Sequence, residues 1–141
     1  MKLDLSNLEK AILSFEKAMN LALSDAIKNS NDENLITTIR AGVIQNFEFT
    51  YELCWKFIQR WLKENYSKEE SQLPRTRKEL FRMANRAGLI NDALPWFEFA
   101  EARNLTSHIY NNDTAEDVFR QSIKFLPEAK TLLKMLASNN D

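Results

Sequence analysis

Apolar residues recur along this chain at three- and four-residue steps, the period of a helix that buries one face. Leu8, Ile12, Phe15, Met19, Leu23 and Ile27 trace the first such stripe, with Asp4 or Ser6 upstream as its expected cap. The polar run Asn29-Ser30-Asn31-Asp32 predicts a turn rich in N-cap candidates. A long second helix follows from Glu33 to Tyr66, roughly 50 Å at about 1.5 Å per residue. Its apolar residues come partly in adjacent pairs (Val43-Ile44, Phe57-Ile58, Trp61-Leu62), with Phe47, Phe49, Tyr51, Leu53, Cys54 and Trp55 between them. So wide a stripe exceeds what one partner helix can cover and implies burial on two sides.

Ser67 to Pro74 is the clearest break. Beyond it, Thr76 is expected to cap a short third helix that Gly88 ends, and Asn91 or Asp92 to open a fourth with Pro95 in its first turn. That helix runs through Trp96, Phe97, Phe99 and Ala100 into the segment Arg103–Tyr110. Asn111-Asn112-Asp113 should stop it, and Thr114-Ala115-Glu116-Asp117 should start a last helix that Pro127 kinks or divides. Two glycines and three prolines leave little material for hairpins. The expectation is an all-α antiparallel bundle, with residues 1–141 forming a single domain.

The net charge of −1 rules out whole-molecule attraction to nucleic acid, so any such binding needs a local patch. Arg75, Lys78, Arg82 and Arg86 fall at spacings that place four cations on one face of the third helix, either a solvated basic face or a strip following RNA. The single cysteine, Cys54, excludes an internal disulfide and fits a reducing compartment. With no signal-peptide profile and no apolar run of membrane-spanning length, a soluble cytoplasmic protein without a membrane partner is expected.

The chemistry concentrates in Arg103-Asn104-Leu105-Thr106-Ser107-His108-Ile109-Tyr110, which holds the only histidine. Arginine binds phosphate oxygens as a planar fork, and histidine, with an unperturbed pKa of about 6.5, exchanges protons near neutrality. On a straight helix Arg103, Ser107 and Tyr110 fall within about 60° of one another, while Glu101, Asn104 and His108 form a second stripe. Asn104 would then orient the imidazole, and Glu101 would raise its pKa if the side chains meet.

Cutting RNA without a metal requires taking a proton from a 2′-hydroxyl, stabilising a charged phosphorane and protonating the leaving oxygen. One histidine cannot easily do both transfers, so catalysis predicts a twofold dimer that pairs two copies of the octapeptide. The plain alternative is a surface ion pair for Arg103 and an interhelical hydrogen bond for His108. Glu48 and Glu52, one turn apart, are expected to accept hydrogen bonds from a neighbouring helix and to pair with Lys56, respectively. Without a second histidine they do not suggest a metal site. No Gly-rich phosphate loop is present, and no cofactor is expected. Gly42, inside the long helix, hints at a close helix approach, while Tyr51, Trp55 and Trp61 read as core or dimer interface.

The octapeptide resembles the Arg-x4-His-x-Tyr motif of HEPN-domain proteins, including the polar residue after the arginine. The stretch Val43–Lys56 is similar to a landmark of the branch known as nucleotidyltransferase substrate-binding subunits, as are Leu73-Pro74-Arg75, Gly88-Leu89-Ile90 and Trp96 ahead of Glu101-Ala102-Arg103. Ile109 departs from the pattern, where a threonine is expected. The resemblance implies an up-and-down four-helix bundle with a short additional helix, usually a homodimer. It also implies a small nucleotidyltransferase as partner. Arg103, His108 and Asn104 match the catalytic positions of a metal-independent endoribonuclease toxin, with Ser107, Glu101 and Arg75 as substrate contacts. Tyr110 matches the tyrosine that the antitoxin partner adenylylates. The same family is also described as the non-catalytic substrate-binding half of a two-chain nucleotidyltransferase, and a third possibility is a bundle that only scaffolds an assembly.

Overall fold

The periodic apolar stripes become helices throughout a computed structural model that describes residues 2–66, 73–108 and 112–140. The elements are α1 (Ser6–Ala22), α2 (Asp25–Lys28), α3 (Glu33–Asn65), α4 (Arg77–Arg86), α5 (Ala93–Leu105), a 3-10 turn (Thr106–His108) and α6 (Asn112–Ser138). Four of them, α1, α3, α5 and α6, form an up-and-down antiparallel bundle, with α2 and α4 as short additions. Polar contacts show the directions. Leu3 and Asn140 exchange hydrogen bonds at 2.7 and 2.9 Å, so α1 starts where α6 ends. The Trp61 indole donates to the Asn139 carbonyl at 3.1 Å, which brings the end of α3 to the same pole.

The core is aromatic, and Phe125 of α6 is its centre. Its ring meets Phe15 of α1, Phe47 and Tyr51 of α3, and Trp96 and Phe99 of α5, at centroid distances of 5.0–6.3 Å. Several of these contacts are edge-on, the arrangement that the ring quadrupoles favour. The wide stripe of α3 is buried on two sides, against α1 on one and α4, α5 and α6 on the other. Phe49 does not share in this and is 63% exposed. Nor does Gly42 mark a close approach, because a Cβ there would meet nothing within 4 Å.

Helix ends follow side-chain chemistry. Asp32, Thr76 and Asp92 cap α3, α4 and α5 by accepting from Leu35, Glu79 and Leu94 backbone N–H groups at 3.1 Å each. Gly88, at φ +82°, ends the α4 segment by a Schellman motif, with Leu89 N–H bonding to Ala84 and Gly88 N–H to Asn85.

Five points differ from expectation. Neither Asp4 nor Ser6 caps α1: the Asp4 carboxylate is occupied by the Ser6 N–H and hydroxyl, and Leu5 takes the cap position. Leu23 and Ile27 lie beyond α1, which ends at Ala22. The last helix starts at Asn112 rather than Thr114, and Pro127 leaves it undivided. Arg75 lies ahead of the α4 cap rather than on the helix face. Within the expected break, residues 67–72 lie outside the described residues. No described helix is long and apolar enough to cross a membrane.

Candidate functional site

The end of α5 sets out the octapeptide differently from a straight helix. α5 stops at Leu105, because hydroxyls take over its last carbonyls. The Thr106 hydroxyl donates to the Arg103 carbonyl at 2.6 Å while accepting from the Arg103 guanidinium at 2.9 Å. The Ser107 hydroxyl donates to the Asn104 carbonyl at 3.2 Å. Thr106, Ser107 and His108 therefore sit on a tighter 3-10 turn, and the two-stripe layout does not hold beyond Leu105. Asn104, Ser107 and His108 are all exposed, so the lone imidazole is not sealed into the core. Ile109, Tyr110 and Asn111 lie outside the described residues.

Arg103 is anchored to the long helix by two carboxylates. Its Nε lies 3.2 Å from Glu52 Oε1 and its Nη1 lies 3.7 Å from Glu48 Oε2, both on α3. The Nε–H is not aimed along a hydrogen bond, so the Glu52 contact is an ion pair without a directed bond. Glu52 also accepts from the Trp55 indole at 2.9 Å, which turns it toward Arg103 and Trp55 and away from the expected Lys56. The Lys56 ammonium stands over the Trp55 ring instead. Glu48 meets the neighbouring helix as an ion pair with Arg103 and not through the expected hydrogen bond. At about one-third exposure such pairs are worth roughly 1 kcal/mol or less, but they fix where the guanidinium points.

Beneath this pair lies Tyr51, only 2% exposed. Burial pushes its phenol up to about 12, against the opposing pull of the Arg77 and Arg103 charges. Burial likewise raises the Cys54 thiol, an inert packing group.

Among the described residues several hollows flank the motif, one of about 560 Å³ lying between α5 and α6 beside Glu101 and Leu105. A second of about 630 Å³ lies between α3 and the start of α6, with Arg40, Glu48, Thr106 and Glu116 in its wall. Another of about 310 Å³ lies between α4 and α5, where Lys78, Phe97, Glu101 and Asn104 meet. Glu101 and Asn104 thus face the α4 cations, and Arg75 opens into an adjoining hollow with Trp55. Residue spacing missed Arg77, and it named Glu52 but gave it the wrong partner. Arg77 shares its hollow with Lys78 and stacks on Trp55 with Cζ 3.5 Å from the ring centroid. An Arg-Lys pair opening a helix beside a lone acid was its only sequence signal.

Residues 3–138 match the family model for nucleotidyltransferase substrate binding protein like chains. The chain is 34% identical over 140 residues to a protein of Haemophilus influenzae named "Probable ribonuclease HepT", covering 99% of this chain and 95% of the relative. A solved Haemophilus influenzae structure, described as the fold of a substrate binding domain of a nucleotidyltransferase, superposes with a TM-score of 0.88 at 32% identity, covering 95% of this chain and 99% of the other. A crystal structure from Thermus thermophilus superposes with a TM-score of 0.71 at 27% identity, over 92% and 98% of the two chains.

Proposed function

Because the chain belongs to the nucleotidyltransferase substrate-binding protein-like family of HEPN type, we propose that it is the RNA-cutting toxin of a pair whose other member is a small nucleotidyltransferase. Residues 1–141 act as one HEPN-like domain, in the cytoplasm, as a twofold dimer. His108 takes the proton from a 2′-hydroxyl and its dimer mate protonates the leaving oxygen, without a metal. Arg103 stabilises the phosphorane, Asn104 orients the imidazole, and Ser107, Glu101 and Arg75 contact the substrate. Adenylylation of Tyr110 by the partner silences the site by placing bulk and negative charge where RNA phosphate must enter.

The observation that carries this reading is an exposed imidazole one turn beyond a fixed guanidinium, at the end of a helix flanked by open hollows. The test is purified dimer incubated with RNA in chelator, beside the His108→Ala protein. Cleavage by the wild type alone supports the proposal. Equal cleavage by both, or by neither, removes it.

One feature favours a second reading, the non-catalytic substrate-binding subunit. Glu48 and Glu52 already balance the Arg103 charge within the protomer, leaving a hollow of mixed polar and apolar lining suited to holding a substrate. It predicts no RNA cleavage by this chain, and nucleotide transfer that appears only when chain and partner enzyme are combined.

A further inference from the structure

Apart from Arg75, the cations around α4 are not used by the motif, and their setting is unusual. Arg75, Arg77, Lys78, Arg82 and Arg86 share a short stretch in which Glu79 is the one acid. Among the described residues, the ion pairs involve Arg103, Arg120 and Lys130 but none of these five. Three are instead laid on aromatic faces. Arg77 lies over Trp55, while Lys78 Nζ and Arg82 Cζ stand 5.9 and 5.5 Å from the Phe97 centroid. An aromatic face restrains a cation without cancelling its charge, and it leaves the N–H groups open to an anion. A carboxylate partner would have consumed both.

Arg75, Arg77 and Lys78 line two adjoining hollows, and Arg82 stands over Phe97 in the wall of the second. The hollow of about 260 Å³ beside Trp55 and Arg75 shares Thr76 and Arg77 with the hollow of about 310 Å³ that ends at Asn104. Asn104 is the residue after Arg103. Among the described residues the large exposed apolar side chains, Phe49 and Leu94 foremost, line neither hollow. A protein partner seeks an apolar centre, whereas a phosphodiester chain needs only fixed cations in a narrow furrow.

We propose that the α4–α5 groove seats the phosphate backbone of a single-stranded stretch of RNA and leads it to Arg103 and His108. The assignment deepens the ribonuclease reading and rests on it for the identity of the strand. Lys78, Arg77 and Arg82 hold successive phosphates, and Arg75 extends the track at its far end.

The test separates binding from cutting. A fluorescent single-stranded oligoribonucleotide is titrated onto the His108→Ala dimer across a salt series, with and without Lys78→Gln and Arg82→Gln together. Lys17→Gln and Lys134→Gln, on exposed faces of α1 and α6, remove the same charge as a control. The α4 pair should raise Kd about tenfold and flatten the salt dependence by about 1.4 in log–log slope, at about 0.7 per phosphate contact. The control should do neither.

Arg75→Gln, outside the helix, should weaken binding in the same direction, and it keeps the test alive if the double variant misfolds. Unchanged affinity in the α4 variants, an equal loss in the control, or no binding by the parent at low salt would each overturn the groove assignment. So would variants that keep RNA but lose the nucleotidyltransferase, since the strip would then serve an acidic protein surface. If the predicted binding pattern appears while the unsubstituted protein cuts nothing, the groove stands and the ribonuclease reading falls.

Discussion

Phe125 and Arg103 belong to neighbouring helices of one bundle, yet they are held in opposite ways. Phe125 is fully buried and meets five rings drawn from three other helices. Arg103 is half-buried and kept in place by two carboxylates and one hydroxyl. In the core, position follows from close packing, where every neighbour must yield before a side chain moves. At the α5 end it follows from a few charge contacts of small net worth. Stability and chemistry should therefore separate cleanly between the two regions.

Phe125→Ala should break the contrast most strongly. Removing the shared ring leaves a cavity that four packed helices cannot close, at a cost of about 3–5 kcal/mol in denaturant unfolding. A loss below about 1 kcal/mol would mean that the rings are not jointly packed. His108→Ala should do the reverse, lowering RNA cleavage by roughly 10²–10⁴-fold while stability stays within about 0.5 kcal/mol.

Tyr51 sits between the regions and should give an intermediate effect. Its folded pKa is raised to about 12 from the ordinary phenol value of 10.0, so the phenol ionises first in the unfolded chain. Its contribution is complete below about pH 10 and is lost as pH climbs toward 12, amounting to roughly 2 kcal/mol. Unfolding curves of Tyr51→Phe should lack that alkaline decline. Smallest of all, Thr76→Ala removes the α4 cap and should cost about 1 kcal/mol, with RNA affinity falling in step if α4 carries the backbone track.

Much of the bundle was readable because helix period, caps and stops are local properties. Glu33 to Asn65 is continuous because its apolar spacing never lapses, and Thr76, Asp92 and Gly88 act as caps and stop through their own side chains or backbone freedom. The errors fell where local preference meets competition. Thr106 and Ser107 diverted the end of α5 into a 3-10 turn by bonding back to its carbonyls, which no apolar pattern reveals. Glu52 left its helical neighbour Lys56 for a guanidinium fifty-one residues away, a partner that spacing along one helix cannot show.

The sequence by itself determined which segments coil, which faces are apolar and where the single imidazole stands, because these depend on residues within a few turns of one another. Only the tertiary structure decided that Arg103 would lie between Glu48 and Glu52, and that Arg77 would rest on Trp55 beside a groove reaching Asn104. Such meetings depend on how whole helices cross, and crossing is settled by the packing of the shared core rather than by any one segment.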